Sequence, residues 1–120
     1  PFIYVRADRK KHGRKNNIEG FYNEYQKVVV IEDLISTGKS SINACESIIT
    51  ENLQIMGLIS IFDYNFDVSK TNFKSKNIDY YSLSSYNFLI EYAFQNNLLK
   101  ASEIDELKKW RNDPINWNES

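Results

Sequence analysis

An α/β fold, with a mostly parallel sheet flanked by helices, is what this 120-residue chain predicts. Three features point to it. Runs of apolar, largely β-branched residues recur at 2–5, 27–31, 53–62 and 78–83. Segments with apolar residues at helical spacing lie between and after them. The runs are continuous rather than alternating, the pattern of parallel strands covered on both faces. The length suits one domain spanning residues 1–120.

Composition narrows the classes. Hydrophobic residues at 42% and aromatics at 14% suffice for a packed core. Lys and Arg number 15 against 16 acids, so the formal charge of −1 gives no reason to expect nucleic acid or an acidic membrane as partner. A single cysteine permits no internal disulfide and no multi-cysteine metal site, and it suits a cytoplasmic protein. No apolar run approaches the roughly 20 residues of a membrane span.

Each element has its own justification. "FIYV" at 2–5 reads as a buried parallel strand that starts almost with the chain, so a piece of a longer protein is expected. Residues 6–20, "RADRKKHGRKNNIEG", are basic, aperiodic and end in Gly, as a flexible loop would. After the strand at 27–31, "STGKSS" opens a helix with Ile42, Cys45, Ile48 and Ile49 inward. Cys45 on that face reads as core packing. A third strand at 53–62, a helix at 68–75 and a fourth strand at 78–83 follow. Ser84 or Ser85 caps a helix with Phe88, Leu89, Tyr92 and Ala93 inward, and Ser102 caps a last one that stops before Asp113-Pro114. Trp110, Trp117, Tyr80, Tyr81 and Tyr86 read as core or interface aromatics.

The chemistry concentrates in "VVVIEDLISTGKSS", residues 28–41. Gly38-Lys39-Ser40 matches the second half of a Walker A loop, G-x-x-x-x-G-K-S/T. The first glycine of that motif falls on Asp33, whose charge would repel phosphate, so the triphosphate reading fails. Glu32 and Asp33, at the carboxyl end of a strand, instead suit vicinal ribose hydroxyls, which a carboxylate accepts from. Ser36, Thr37, Gly38, Lys39, Ser40 and Ser41 then supply hydroxyls, backbone N–H groups and a helix N-terminus for an anion. A sugar diol followed by one phosphate describes a ribose 5-phosphate. A surface or capping acid pair is the plainer alternative, but the flanking strand and Ser/Thr-Gly turn favour the site.

On these residues the chain resembles the type I phosphoribosyltransferases, whose phosphoribosyl pyrophosphate (PRPP) motif is an apolar strand, two acids and a Thr/Ser-Gly loop. "YVRADRKKHGRKNNIEG" and the tail "LSSYNFLIEYAFQNNLL" resemble the orotate-specific branch of that family. The resemblance implies the C-terminal portion of that fold, with its N-terminal part absent. It implies PRPP contacts from Arg6, Lys10, His12, Glu32, Asp33, Leu34, Ile35, Ser36, Thr37, Gly38, Lys39 and Ser40, with Ser36 also touching orotate. Asp33, Lys10 and His12 would be the catalytic residues, the last two on a loop closing over pyrophosphate. It further implies Mg²⁺ carried in with PRPP rather than held in a protein cage, and a homodimer acting in pyrimidine biosynthesis. A purine-type transferase, or a PRPP-sensing regulatory protein of the same fold, is the alternative. Three departures stand out: Ala7 replaces a loop lysine, no arginine lies between Phe62 and Lys76, and Lys39 sits where a small residue is usual.

Overall fold

The computed structural model describes residues 1–6 and 17–116. A hairpin comes first: β1 (Ile3–Val5) pairs antiparallel with β2 (Ile18–Gly20). Two expectations are corrected here. The run expected at 2–5 forms, over residues 3–5, half of a small antiparallel ribbon rather than a buried parallel strand, and Phe2 and Tyr4 are exposed. The basic stretch 6–20 ends in a strand, because Ile18 alternates with Glu19 and buries its side chain in the main core.

The main sheet is parallel, in the order β3 (Lys27–Ile35), β4 (Gln54–Asp63), β5 (Tyr80–Ser85). Helices α1 (Lys39–Thr50) and α2 (Asp67–Ser75) connect these strands. Ile42, Cys45 and Ile48 recur at helical spacing on α1 and are buried, meeting Val30 of β3 and Leu58 of β4 in one core. Ile49, expected inward, is 52% exposed, because it lies beyond the edge of that stripe. Phe73 of α2 stacks on Tyr80 of β5, with ring centroids 4.3 Å apart, and closes the core.

Only one face of the sheet is covered in this way. Val29, Ile31, Ile59, Ile61, Tyr81 and Leu83 point to the other face, which lies open among the described residues. Continuous apolar strands therefore forecast two apolar faces correctly, but burial of only one of them is observed.

After β5 the chain enters α3 (Tyr86–Gln95), capped by Ser85, whose hydroxyl accepts the Phe88 N–H at 3.4 Å. Tyr86 and Ile90 face inward, whereas Phe88, Leu89 and Tyr92 are exposed, the reverse of the expected orientation. This helix is apolar nearly all round, so spacing alone does not select its inner stripe. Helix α4 (Ala101–Asn112) starts two residues earlier than a Ser102 cap requires: Lys100 precedes it, and the Glu103 carboxylate accepts the Lys100 N–H at 2.7 Å. It stops before Asp113-Pro114 as expected. Trp110 joins Tyr64, Phe66 and Tyr86 in an aromatic cluster binding α4 to the end of β4. Trp117 lies outside the described residues.

Candidate functional site

Strand β3 runs four residues beyond the predicted end, through Glu32 and Asp33 to Ile35. Successive side chains in a strand leave on opposite faces. Glu32 therefore turns with Val28 and Val30 toward α1, while Asp33 turns with Val29 and Ile31 to the open face. Asp33 is exposed, and its Oδ1 accepts the Leu34 N–H at 2.7 Å. Glu32 is half-buried, and removal from water pushes its carboxyl above the ordinary range. The Ser41 hydroxyl opposes that rise, and the like charge of Asp33 adds to it.

Ser36, Thr37 and Gly38 then link β3 to α1. Gly38 caps the helix with φ 76°, a left-handed conformation that glycine adopts without steric cost. The N–H groups of Lys39, Ser40 and Ser41 fall in the first turn, where the helix dipole is positive and intrahelical acceptors are lacking, and the Lys39 N–H makes only a long 3.5 Å bond to Thr37 Oγ1. Lys39 is exposed, so it leaves the turn uncrowded.

More distant elements hold this loop. Asn72 of α2 donates to the Thr37 carbonyl at 3.0 Å, and the Tyr64 N–H donates to the Ile35 carbonyl at 3.0 Å. The Phe73 ring lies beneath Gly38, so close that a Cβ there would stand 2.7 Å from its edge. At the end of β4, Asp63 is 1% exposed and accepts both the backbone N–H and the side-chain amide of Asn65, at 2.7 and 3.2 Å. Burial raises its carboxyl, while the Asn65 N–H and the nearby Lys70, Tyr80 and Arg111 pull the other way. Arg111 of α4 donates to the Asn65 carbonyl at 2.6 Å and to the Tyr64 carbonyl at 3.4 Å. The span from 62 to 76, which has no arginine of its own, thus receives one from 46 residues away.

Sequence reasoning missed Asp63, Asn65, Asn72, Phe73 and Arg111, whose roles arise from long-range contacts without a local signal. Of the basic-loop candidates, Arg6 directly follows β1 and pairs with Glu19 of β2 at 2.7 Å, in an ion pair open enough to solvent to add little stability. Lys10 and His12 lie outside the described residues, as does Ala7. Among the described residues no three acid, His or Cys side chains converge as a metal site. No helix among them is long and apolar enough to cross a membrane. Cys45 is fully buried, and burial together with Glu32 pushes its thiol up to about 11, which keeps it protonated and inert.

The Glu32 shift has a measurable sign. A carboxyl raised in the folded state binds its proton more tightly there than in the unfolded chain. Its contribution to stability is complete below the ordinary value of 4.5 and is lost as pH rises through the folded value. Glu32→Gln is expected to melt higher than the wild type at pH 7 without ligand. The two melting temperatures should converge as the pH falls below about 4, where both side chains are neutral.

Comparison with known proteins follows this geometry. The Leishmania donovani UMP synthase structure superposes with a TM-score of 0.73 over 91% of this chain and 23% of that one, at 23% identity. The Mycobacterium tuberculosis orotate phosphoribosyltransferase in complex with PRPP superposes at 0.55 over 61% of this chain and 43% of that one, also at 23% identity. Strand order, the glycine-capped loop from β3 to α1 and these superpositions make the fold that of a phosphoribosyltransferase. The chain is 44% identical over 117 residues to orotate phosphoribosyltransferase of Cytophaga hutchinsonii, matching 98% of this chain and 56% of that protein. It is a homologue of the orotate phosphoribosyltransferases. It spans about half the length of the curated relatives it matches. No family model matches the chain.

Proposed function

We propose that this protein transfers the ribose 5-phosphate group of PRPP to orotate, giving orotidine 5′-monophosphate and pyrophosphate in pyrimidine biosynthesis. The observation that carries the reading is the loop from Ser36 to Gly38, backed by Phe73 and opening α1 directly after the acid pair, in a chain 44% identical to a named orotate phosphoribosyltransferase. The first-turn N–H groups of α1 take the 5-phosphate, as a helix N-terminus takes a single anion. Glu32 and Asp33 accept from the ribose hydroxyls, and Ser36 reaches the orotate ring. Attack by a ring nitrogen at C1′ expels pyrophosphate through an oxocarbenium-like state. Positive charge builds on the sugar and negative charge on the leaving group. Arg6, Lys10 and His12 neutralise the leaving pyrophosphate.

Mg²⁺ belongs with the PRPP phosphates, where it offsets their charge; the exposed Asp33 carboxylate suits a hydrated cation that keeps most of its waters. A homodimer in the cytoplasm completes the reading, the latter in keeping with one buried, unpaired thiol.

The test is consumption of orotate, followed by its absorbance, together with calorimetric titration of Mg²⁺-PRPP into wild type and Asp33→Asn. Losing the charge that accepts a ribose hydroxyl should weaken binding about tenfold or more, the scale of one hydrogen bond to a charged group. Equal affinity in the two proteins would remove Asp33 from the site. PRPP binding with no orotate consumption would favour a sensor of the same fold.

A further inference from the structure

Ser41 is 1% exposed, and its Oγ has no hydrogen-bond partner among the described residues. Buried hydroxyls are seldom left so, since an unmade bond forfeits what water would have supplied. Several other hydroxyls of these helices show the usual remedy, bonding back to a carbonyl three or four residues earlier. In α1, Ser47 donates to the Asn43 carbonyl at 3.1 Å and Thr50 to the Glu46 carbonyl at 2.8 Å. In α2, Ser69 donates to Phe66 and Thr71 to Asp67. Ser41 makes no such bond: the Gly38 carbonyl accepts the Ile42 N–H at 2.9 Å and the Thr37 carbonyl the Asn72 amide at 3.0 Å, but neither accepts the Ser41 hydroxyl. The Ser41 hydroxyl is left for something else.

Glu32 is the group placed to use it. Strand alternation turns its carboxylate toward α1, and Ser41 sits in the first turn of that helix, one turn before Cys45. We infer that Ser41 is a positioning residue for Glu32: its hydroxyl, unpartnered in this structure, turns to one carboxylate oxygen and leaves the other aimed at the sugar diol. The inference rests on the ribose-phosphate reading of the site. Its electrostatic side agrees, since the hydroxyl favours the ionised carboxylate against the burial that disfavours it. Asp33 on the same strand and Cys45 on α1 are the titratable groups that act with Glu32, the first raising its carboxyl and the second itself raised by it. From β4, the neighbour paired with Glu32 is Ser60, which carries no charge. Without the hydroxyl, Glu32 would hold its proton to higher pH and lose the acceptor that ribose needs.

Two readouts decide it. Carbon-detected NMR titration of the Glu32 carboxyl, without ligand, should show a higher pKa in Ser41→Ala than in wild type; superimposable curves would overturn the inference. Mg²⁺-PRPP titrations between pH 5 and 8 should show about tenfold weaker binding by Ser41→Ala near neutrality, with the acidic loss of affinity displaced to higher pH. In a Glu32→Ala background, Ser41→Ala should have little further effect, because the carboxylate that the hydroxyl would hold is already gone. An equal loss in both backgrounds would mean that Ser41 acts only on packing, and would also overturn the inference. Absence of PRPP binding by the wild type would sink the ribose-phosphate reading, while the carboxyl titration would still decide the Ser41–Glu32 contact.

Discussion

Gly38→Ala should leave a folded protein that binds PRPP about a hundredfold more weakly. A non-glycine residue at φ 76° bears about 1–2 kcal/mol of steric cost. The larger effect is collision: the new Cβ would meet Phe73 Cε2 at 2.7 Å and Cδ2 at 3.3 Å. Phe73 has little room to withdraw, being 1% exposed and stacked on Tyr80. The loop must therefore move instead of the ring. A shift of that kind turns the Lys39, Ser40 and Ser41 N–H groups away from a common point, and phosphate binding depends on their convergence. Two to three charge-assisted bonds weakened together give the hundredfold scale. Calorimetric titration of Mg²⁺-PRPP measures it, with circular dichroism confirming the fold. Wild-type affinity in Gly38→Ala would show that the loop does not carry the phosphate.

The legible parts of this molecule are those whose cause is local. The β3–loop–α1 unit could be read because an apolar run, a Ser/Thr-Gly turn and inward Ile42, Cys45 and Ile48 each declare themselves within a few residues. The Ser85 cap is equally local, set by a side chain reaching the Phe88 N–H. What escaped had distant causes or two local solutions. The end of β3 is not local: Glu32 and Asp33 look like a strand terminus, whereas pairing with β4 carries the strand on to Ile35. The inner stripe of α3 depends on where β5 delivers the helix, since Phe88, Leu89 and Ile90 offer rival apolar stripes. Asn72 and Arg111 reach the site's loops across 35 and 46 residues, and no spacing rule relates positions so far apart. The placement of Ser41 against Glu32 also required tertiary structure, because strand alternation and the helix's position together determine it.

Phe73→Ala should cost about 3–5 kcal/mol, the usual range for deleting a fully buried aromatic ring from a core. Phe73 is among the largest side chains buried to below 2% exposure, and it serves three elements at once. It packs on Tyr80 of β5, it forms the floor under Gly38, and its backbone carbonyl accepts N–H groups from Lys76 and Ile78 where α2 turns toward β5. Against a typical domain stability of about 5–15 kcal/mol, such a loss would populate the unfolded state measurably in mild denaturant. Urea unfolding would show it as a lower midpoint at an unchanged slope. Phe73→Leu refines the test. It keeps most of the core volume, so it should cost less, and it removes the ring edge that obstructs a Cβ at position 38. Gly38→Ala combined with Phe73→Leu should therefore be less destabilised than the sum of the single changes, by a coupling of about 0.5 kcal/mol or more. Strict additivity would mean that the penalty at position 38 is all backbone strain, with no contribution from the ring beneath it.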